Sequence, residues 1–174
     1  HFERVTGRPL GDPRLRLSLG DAGLFLRRAG RAYDIVVSEP SNPWMAGVAS
    51  LFTADFYAAV RRRLQPGGVM AQWFHLYEMS EEALTLVLRT FAASFPAVEA
   101  WDLGGGDVLL LGSEAALPTA PAELGGARRV MGDAAFRVRA GGGKLHTDDR
   151  PLLEHLAPKA LFLDAASALA PQGL

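Results

Sequence analysis

The sequence predicts an α/β fold, a doubly wound and mostly parallel sheet with an antiparallel hairpin at its edge. Three observations predict it. Short apolar runs of strand length alternate with helical stripes from Tyr33 to Phe95, the order that builds β-α-β units. The runs at 98–103 and 108–111 are separated only by Gly104, Gly105, Gly106 and Asp107, a spacing that suits a tight antiparallel turn. The 174 residues are 49% apolar, enough to bury a sizeable core in one domain.

The elements follow in order. Residues 1–6 are expected to end a helix, stopped by Gly7 and Pro9. Asp12 and Pro13 turn the chain into a strand over Arg14–Leu19, with Leu15, Leu17 and Leu19 alternating on one face. A short helix carries Leu24, Phe25 and Leu26 and ends at Gly30. Ile35, Val36 and Val37 form a buried strand from Tyr33 to Ser38. Thr53 starts a helix with Phe56, Tyr57, Val60 and Leu64 on its apolar face, and Arg61–Arg63 form a solvated last turn. Gln65-Pro66-Gly67-Gly68 reads as a stop before the strand Val69–Phe74. Ser80 caps a helix whose core stripe is Leu84, Leu88, Phe91 and Phe95, with Met79 placed to staple onto Leu84. The hairpin follows. Residues 121–139 hold one helix and a short extended piece, interrupted by Gly125 and Gly126, and an apolar segment runs from Ala160 to Ala170.

Composition removes several function classes. A net charge of −1 provides no field to gather nucleic acid or an anionic membrane. No cysteine means no disulfide, thiolate nucleophile or cysteine-based zinc site. No apolar run approaches the roughly 18 residues of a membrane span, and no signal peptide is visible. The glycine triplets 104–106 and 141–143 are not phosphate loops, because neither follows a strand and opens a helix. His146, Asp148, Asp149, Glu154 and His155 match no standard metal spacing. Asp148 or Asp149 more simply caps a helix beginning at Pro151.

The chemical candidate is Glu39. It closes the strand at Ser38 and is followed by Pro40, Asn42 and Pro43, with Trp44 beyond. Ligands of open α/β sheets bind at the carboxyl ends of strands. The plainer alternative is an acidic residue that only opens a solvent-exposed turn.

Three stretches then act together: GDA at 20–22, DIVVSEPSNPW at 34–44, and LFTADFYAAVRRRLQPGGVMAQW at 51–73. In this order they resemble the carboxyl-terminal part of the spermidine synthase-like family, polyamine aminopropyltransferases with the Rossmann-like fold of class I S-adenosylmethionine-dependent methyltransferases. The resemblance covers residues 12–112, and HTDDRPLLEHLAPKAL at 146–161 is similar to a tail of bacterial members. It implies a partial nucleoside-binding domain over 1–113, lacking its first strands in this chain, and a carboxyl-terminal extension over 114–174 packed on it. The family's glycine-rich loop and ribose-holding acid are expected upstream of His1.

The resemblance also implies roles. Decarboxylated S-adenosylmethionine or S-adenosylmethionine would be the co-substrate, with no metal. Asp21 would accept the adenine amino group and Ala22 would offer a backbone N–H, while Asp21 as a plain helix cap stays open. Glu39 stands where the synthases carry the aspartate that deprotonates the attacking amine. A carboxylate is needed there because an ammonium cannot attack until it loses a proton. Asn42 falls on a position that is acidic in the synthases, and Gln72 matches a glutamine at the end of the next strand. Apart from the resemblance, Trp44, Trp73 and His75 are candidates to line a different substrate pocket, although Trp and Tyr more often serve as core or rim packing. The chain departs from the pattern at Glu39, at Asn42 and in lacking the tyrosine-bearing loop, replaced by Leu103–Asp107.

The function expected is therefore a transferase domain that moves an aminopropyl group to a small amine. A methyltransferase of the same fold and a non-catalytic ligand-binding or sensor domain are the alternatives. Nucleic acid is not an expected partner. The upstream part of the same protein is one; a homodimer and fusion to a membrane segment stay open, with the domain in, or facing, the cytoplasm.

Overall fold

The structure, a computed structural model, describes residues 9–43, 45, 47–117 and 122–156. The expected helix at 1–6, Trp44 and the segment from Ala160 to Ala170 lie outside the described residues. The sheet strands are β1 (Tyr33–Ser38), β2 (Leu64–His75), β3 (Ala97–Gly104), β4 (Asp107–Ser113), β5 (Glu123–Leu124) and β6 (Ala127–Met131). The helices are α1 (Ala22–Arg28), α2 (Ala54–Arg61), α3 (Glu81–Ser94) and α4 (Asp133–Ala140). Three short 3-10 turns add Pro9–Gly11, Ala49–Phe52 and Leu152–His155.

The six strands form one mixed sheet in the order β1-β2-β4-β3-β6-β5. β1 and β2 pair in parallel, and β4 runs back between β2 and β3. Hence β1, β2 and β3 share one direction, and the reversed strand is the return arm of the expected hairpin. Gly104 pairs with Asp107 across a two-residue turn, and Gly105 and Gly106 both take positive φ, the conformation such a turn requires. Beyond the hairpin the sheet continues through β6 and β5, whose connection is the Gly125-Gly126 turn.

One face of the sheet carries the core. Met70, Phe74, Val98, Ala100, Val108 and Leu110 meet Tyr57 and Val60 of α2, the stripe Leu84, Leu88, Phe91 and Phe95 of α3, and Phe136 of α4. Tyr57 stands edge-on to Phe91 at 5.2 Å between ring centroids, a favoured aromatic geometry. Burial pushes its phenol well above the ordinary value. The helix starts follow the sequence. Thr53 Oγ1 accepts the Phe56 N–H at 3.1 Å, and Ser80 Oγ accepts the Ala83 N–H at 3.1 Å.

Five expectations are corrected. β1 is not buried, because Ile35 and Val37 are 63% and 65% exposed. Leu64 is not on the face of α2, which ends at Arg61, but opens β2. Arg14–Leu19 forms no strand; Leu17 and Leu19 are 71% and 95% exposed. Alternation is only half of a strand's requirement, and no neighbouring ladder takes up this backbone among the described residues. Arg63 is not part of a solvated face. Its Nε donates to the Leu26 carbonyl at 2.8 Å and its Nη2 to that of Arg27 at 3.0 Å, so it satisfies the open carbonyls at the end of α1. Gln65–Gly68 does not precede β2 but lies within it.

That last point has a steric cause. β2 advances from Leu64 to Val69 while β1 advances from Tyr33 to Ile35, so the PGG segment bulges. A Cβ on Gly68 would lie 2.9 Å from the Gln65 carbonyl oxygen, 3.0 Å from that of Asp34 and 3.1 Å from that of Tyr33. All three neighbours are backbone and cannot swing aside. Gly68→Ala is therefore expected to lower stability by about 1–3 kcal/mol in urea unfolding. Gly142→Ala, where a Cβ meets nothing within 4 Å, should change it by less than about 0.5 kcal/mol.

Candidate functional site

The sequence-predicted residues converge at the carboxyl end of β1. Glu39 follows the last residue of that strand and is exposed. It lines a cavity of about 330 Å³ together with Ala22, Phe25, Pro40, Leu51 and Phe56. The walls are mostly apolar, with Glu39 as an acidic lining residue, the usual make-up of a small-molecule cleft. Ala22 is the first residue of α1, where backbone N–H groups have no intrahelical partner.

Asp21 adjoins this cavity. Its Oδ1 accepts the Leu24 N–H and so caps α1, while Oδ2 has no hydrogen-bond partner among the described residues. The carboxylate lines an open groove of about 650 Å³ with Leu17, Leu19, Phe25 and Arg28. Capping is thus present in the geometry, and one oxygen is left for a ligand.

Gln72 lies opposite Ser38 in the β1–β2 register and is wholly buried. Its Nε2 donates to the Trp73 carbonyl at 3.2 Å and to the Ser38 carbonyl at 3.4 Å. Gln72 therefore supports the peptide directly before Glu39, and its Oε1 has no partner among the described residues. Asn42 sits half-buried three residues beyond Glu39, and its carbonyl accepts the Met45 N–H at 3.1 Å. It is not part of the wall that Glu39 and Ala22 share. Trp44 is outside the described residues.

His75 ends β2 with both ring nitrogens engaged. Nδ1 accepts the Tyr77 N–H at 2.7 Å. The proton is then on Nε2, which donates to the Gly105 carbonyl at 3.1 Å, with Asp107 3.8 Å away. A Cβ on Gly106 would lie 3.1 Å from this ring. The imidazole thus ties the hairpin turn to the end of β2, and only its ring face and edge remain for another molecule.

The acidic and histidine residues of the tail are also placed. Asp148 caps no helix of its own; the turn at Leu152–His155 starts without a side-chain cap. Instead Asp148 Oδ1 accepts a hydrogen bond from Thr53 Oγ1 at 2.8 Å. The local pattern of the tail gave no sign of this partner, because it lies 95 residues away in the chain. Phe25 and Leu51 were likewise not singled out for the cavity wall. A sequence signal existed for Phe25: Leu24, Phe25 and Leu26 are consecutive, and a helix cannot turn three successive side chains to one buried face.

His146 is fully buried, and desolvation lowers its pKa below the usual 6.5. The folded form therefore binds its proton less readily than the unfolded chain. The stability that neutral His146 contributes is complete above pH 6.5 and is lost as pH falls through the folded value. Denaturant titrations across this range should show stability rising with pH, and His146→Gln should flatten that part of the slope.

Asp21 gives a second expectation. Asp21→Ala should lower the stability of the ligand-free protein by about 1 kcal/mol through loss of the cap, whereas Asp21→Asn, an equally good cap, should leave its thermal midpoint nearly unchanged.

Comparison with known proteins adds a second line of observation. The family model of the spermine/spermidine synthase domain matches residues 2–101. A polyamine aminopropyltransferase of Nitrosomonas europaea is 43% identical over 60 residues, 34% of this chain and 18% of that protein. Another, from a Synechococcus species, is 33% identical over 103 residues, 57% of this chain and 32% of that protein. A spermine synthase of Arabidopsis thaliana is 31% identical over 86 residues, 46% of this chain and 23% of that protein. The matched region thus spans less than a third of each of these relatives. The crystal structure of a probable spermidine synthase from Corynebacterium glutamicum superposes with a TM-score of 0.60 at 16% identity, over 79% of this chain and 55% of that one. That superposition shows the same fold.

Proposed function

Because the chain belongs to the spermine/spermidine synthase family, we propose that the cavity at the end of β1 receives the nucleoside of decarboxylated S-adenosylmethionine and that Glu39 serves the acceptor amine. The observation that carries this reading is the shared wall: Glu39 and Ala22, 17 positions apart in sequence by their numbers, line one cavity with Phe25, Pro40 and Leu51. The apolar side chains suit the faces of a purine. Asp21 Oδ2 suits the exocyclic amine, and the Ala22 N–H suits a ring nitrogen. Gln72 and His75 act from behind the surface by holding the Ser38 carbonyl and the hairpin turn. Asn42, outside that shared wall, is assigned to the acceptor side on the family resemblance alone.

The chemistry assigned to Glu39 is proton removal. A diamine at neutral pH is an ammonium, and its nitrogen has no electron pair to use until the proton leaves. With the proton on Glu39, the nitrogen attacks the methylene next to the sulfonium. The new C–N bond forms as the C–S bond breaks, and the bonding pair goes to sulfur. The products are an elongated amine and neutral methylthioadenosine.

The contacts for ribose and sulfonium are proposed to come from the upstream part of the same protein, laid on the outer edge of β1. In support, β1 pairs on only one side among the described residues, and Ile35 and Val37 are 63% and 65% exposed. Strands of parallel sheets are ordinarily covered on both faces. A second reading, binding without transfer, draws on Asn42, which brings no charge to an amine, and on the two-residue turn that occupies the place of the tyrosine loop.

The test is the whole protein assayed with decarboxylated S-adenosylmethionine and a panel of diamines. Glu39→Gln should lower kcat by about 10²–10⁴ with little change in nucleoside affinity, because a general base acts in the transition state. If Glu39 only holds the cation, the substitution raises the amine KM and spares kcat. Nucleoside binding without turnover by the wild type would favour the second reading.

A further inference from the structure

We propose that the tail segment 146–155 is a latch that positions the loop bearing Glu39, with His146 and Asp148 as its two pins; the catalytic side of this proposal rests on the functional reading above. The loop leaves β1 at Glu39 and ends at the 3-10 turn Ala49–Phe52, directly before the Thr53 cap of α2. The tail holds this turn at one point, Ala49, and the adjoining cap and first turn of α2 at three more. His146 Nε2 donates to the Ala49 carbonyl at 2.9 Å. The His146 carbonyl accepts the Ala54 N–H at 2.9 Å. Asp148 Oδ1 accepts from Thr53 Oγ1 at 2.8 Å, and the Asp148 N–H donates to Asp55 Oδ2 at 2.9 Å.

The latch is itself braced. The His146 N–H donates to Thr90 Oγ1 of α3 at 3.1 Å, and His146 Nδ1 accepts the Leu153 N–H at 3.4 Å. Both ring nitrogens are therefore used by a single neutral tautomer, and the ring is fully buried. α3 buries nine of its fourteen residues, so the tail ties the end of the loop and the start of α2 to a deeply packed helix. The tie reaches the site. Leu51 and Phe56, on either side of the latched residues, both line the cavity with Glu39. Asp148 itself lines a small cavity of about 30 Å³ with Asp21, Leu51 and Phe56. His146 and Asp148 touch neither the Glu39 carboxylate nor its cavity, so they are positioning residues.

Hydrogen exchange of the whole protein tests the latch apart from catalysis. Met45, Val48 and Leu51 donate their amides within the loop and its closing turn. In Asp148→Ala these amides should exchange about tenfold faster or more, while those of β3 and β4 keep the wild-type rate. Asp148→Asn retains an oxygen for Thr53 and should return them close to wild type. His146→Ala, if it folds, should act in the same direction; Asp148 is exposed, so its variants keep the test available if it does not. Unchanged exchange at Met45–Leu51, or a rise spread equally over β4, would overturn the latch. In the transfer assay, run well below the melting temperature, Asp148→Ala should lower kcat by about tenfold, the scale of effect expected from a misplaced catalytic group, and Asp148→Asn should restore it. Full kcat with a lowered melting temperature would reduce the latch to a stabilising contact and overturn the positioning role. A wild-type protein without transfer activity but with the predicted exchange pattern would sink the functional reading alone.

Discussion

β1 and β2 approach closely at Gly68, and that approach sets the register of both strands. Three backbone carbonyls crowd the place where any larger residue would put its Cβ. The bulge that results lets β2 take five steps where β1 takes two, after which the strands run in step from Ile35 and Val69 to Ser38 and Gln72. This register decides what emerges at the sheet's edge. It sets the Gln72 amide beneath the Ser38 carbonyl and delivers Glu39 at the point where the pleat ends. A slip of one residue would turn Ser38 and Gln72 to opposite faces.

Packing holds that register against the helices. Gly112 on β4 lies so close to α3 that a Cβ would come within 2.6 Å of the Phe95 ring. Tyr57, Phe91 and Phe95 then fill one block between α2, α3 and the sheet. At native packing density such a block has no slack. The region around Glu39 contrasts with it. Its carboxylate is exposed, Leu17 and Leu19 stand in solvent, and the apolar residues Ile35 and Val37 on the outer face of β1 are uncovered. A rigid layer thus supports an open rim, and the chemistry proposed for the rim needs that rim to be covered so that water does not compete with the amine.

Much of this was legible in the sequence because it is local. The strand Tyr33–Ser38, the caps Thr53 and Ser80, the α3 stripe and the 104–107 turn follow from periodicity and turn chemistry within a few residues of each feature. What was not legible depends on partners far along the chain. Arg14–Leu19 has a strand's alternation without a strand's neighbour. Arg63 reads as solvated from its neighbours in sequence, whereas its partner is the end of α1, 36 residues earlier. The PGG run looks like a stop on its own and becomes a bulge only when β1 lies against it. The same holds for the site. Glu39 stood out through its position after an apolar run, whereas Thr53, Asp148 and His146 each have a plain local explanation, and their shared role appears only in three dimensions.

In the proposed function, the end of β1 holds a nucleoside with its sulfur turned to Glu39. A crystal structure of the whole protein with methylthioadenosine, the thioether left when the aminopropyl group departs, tests it most directly. The adenine is expected between Ala22 and Pro40, its amino group on Asp21 and its sulfur toward Glu39. A nucleoside seated elsewhere, such as the separate groove between Arg89 of α3 and Leu152–Leu156, would remove Glu39 and Asp21 from the proposed site.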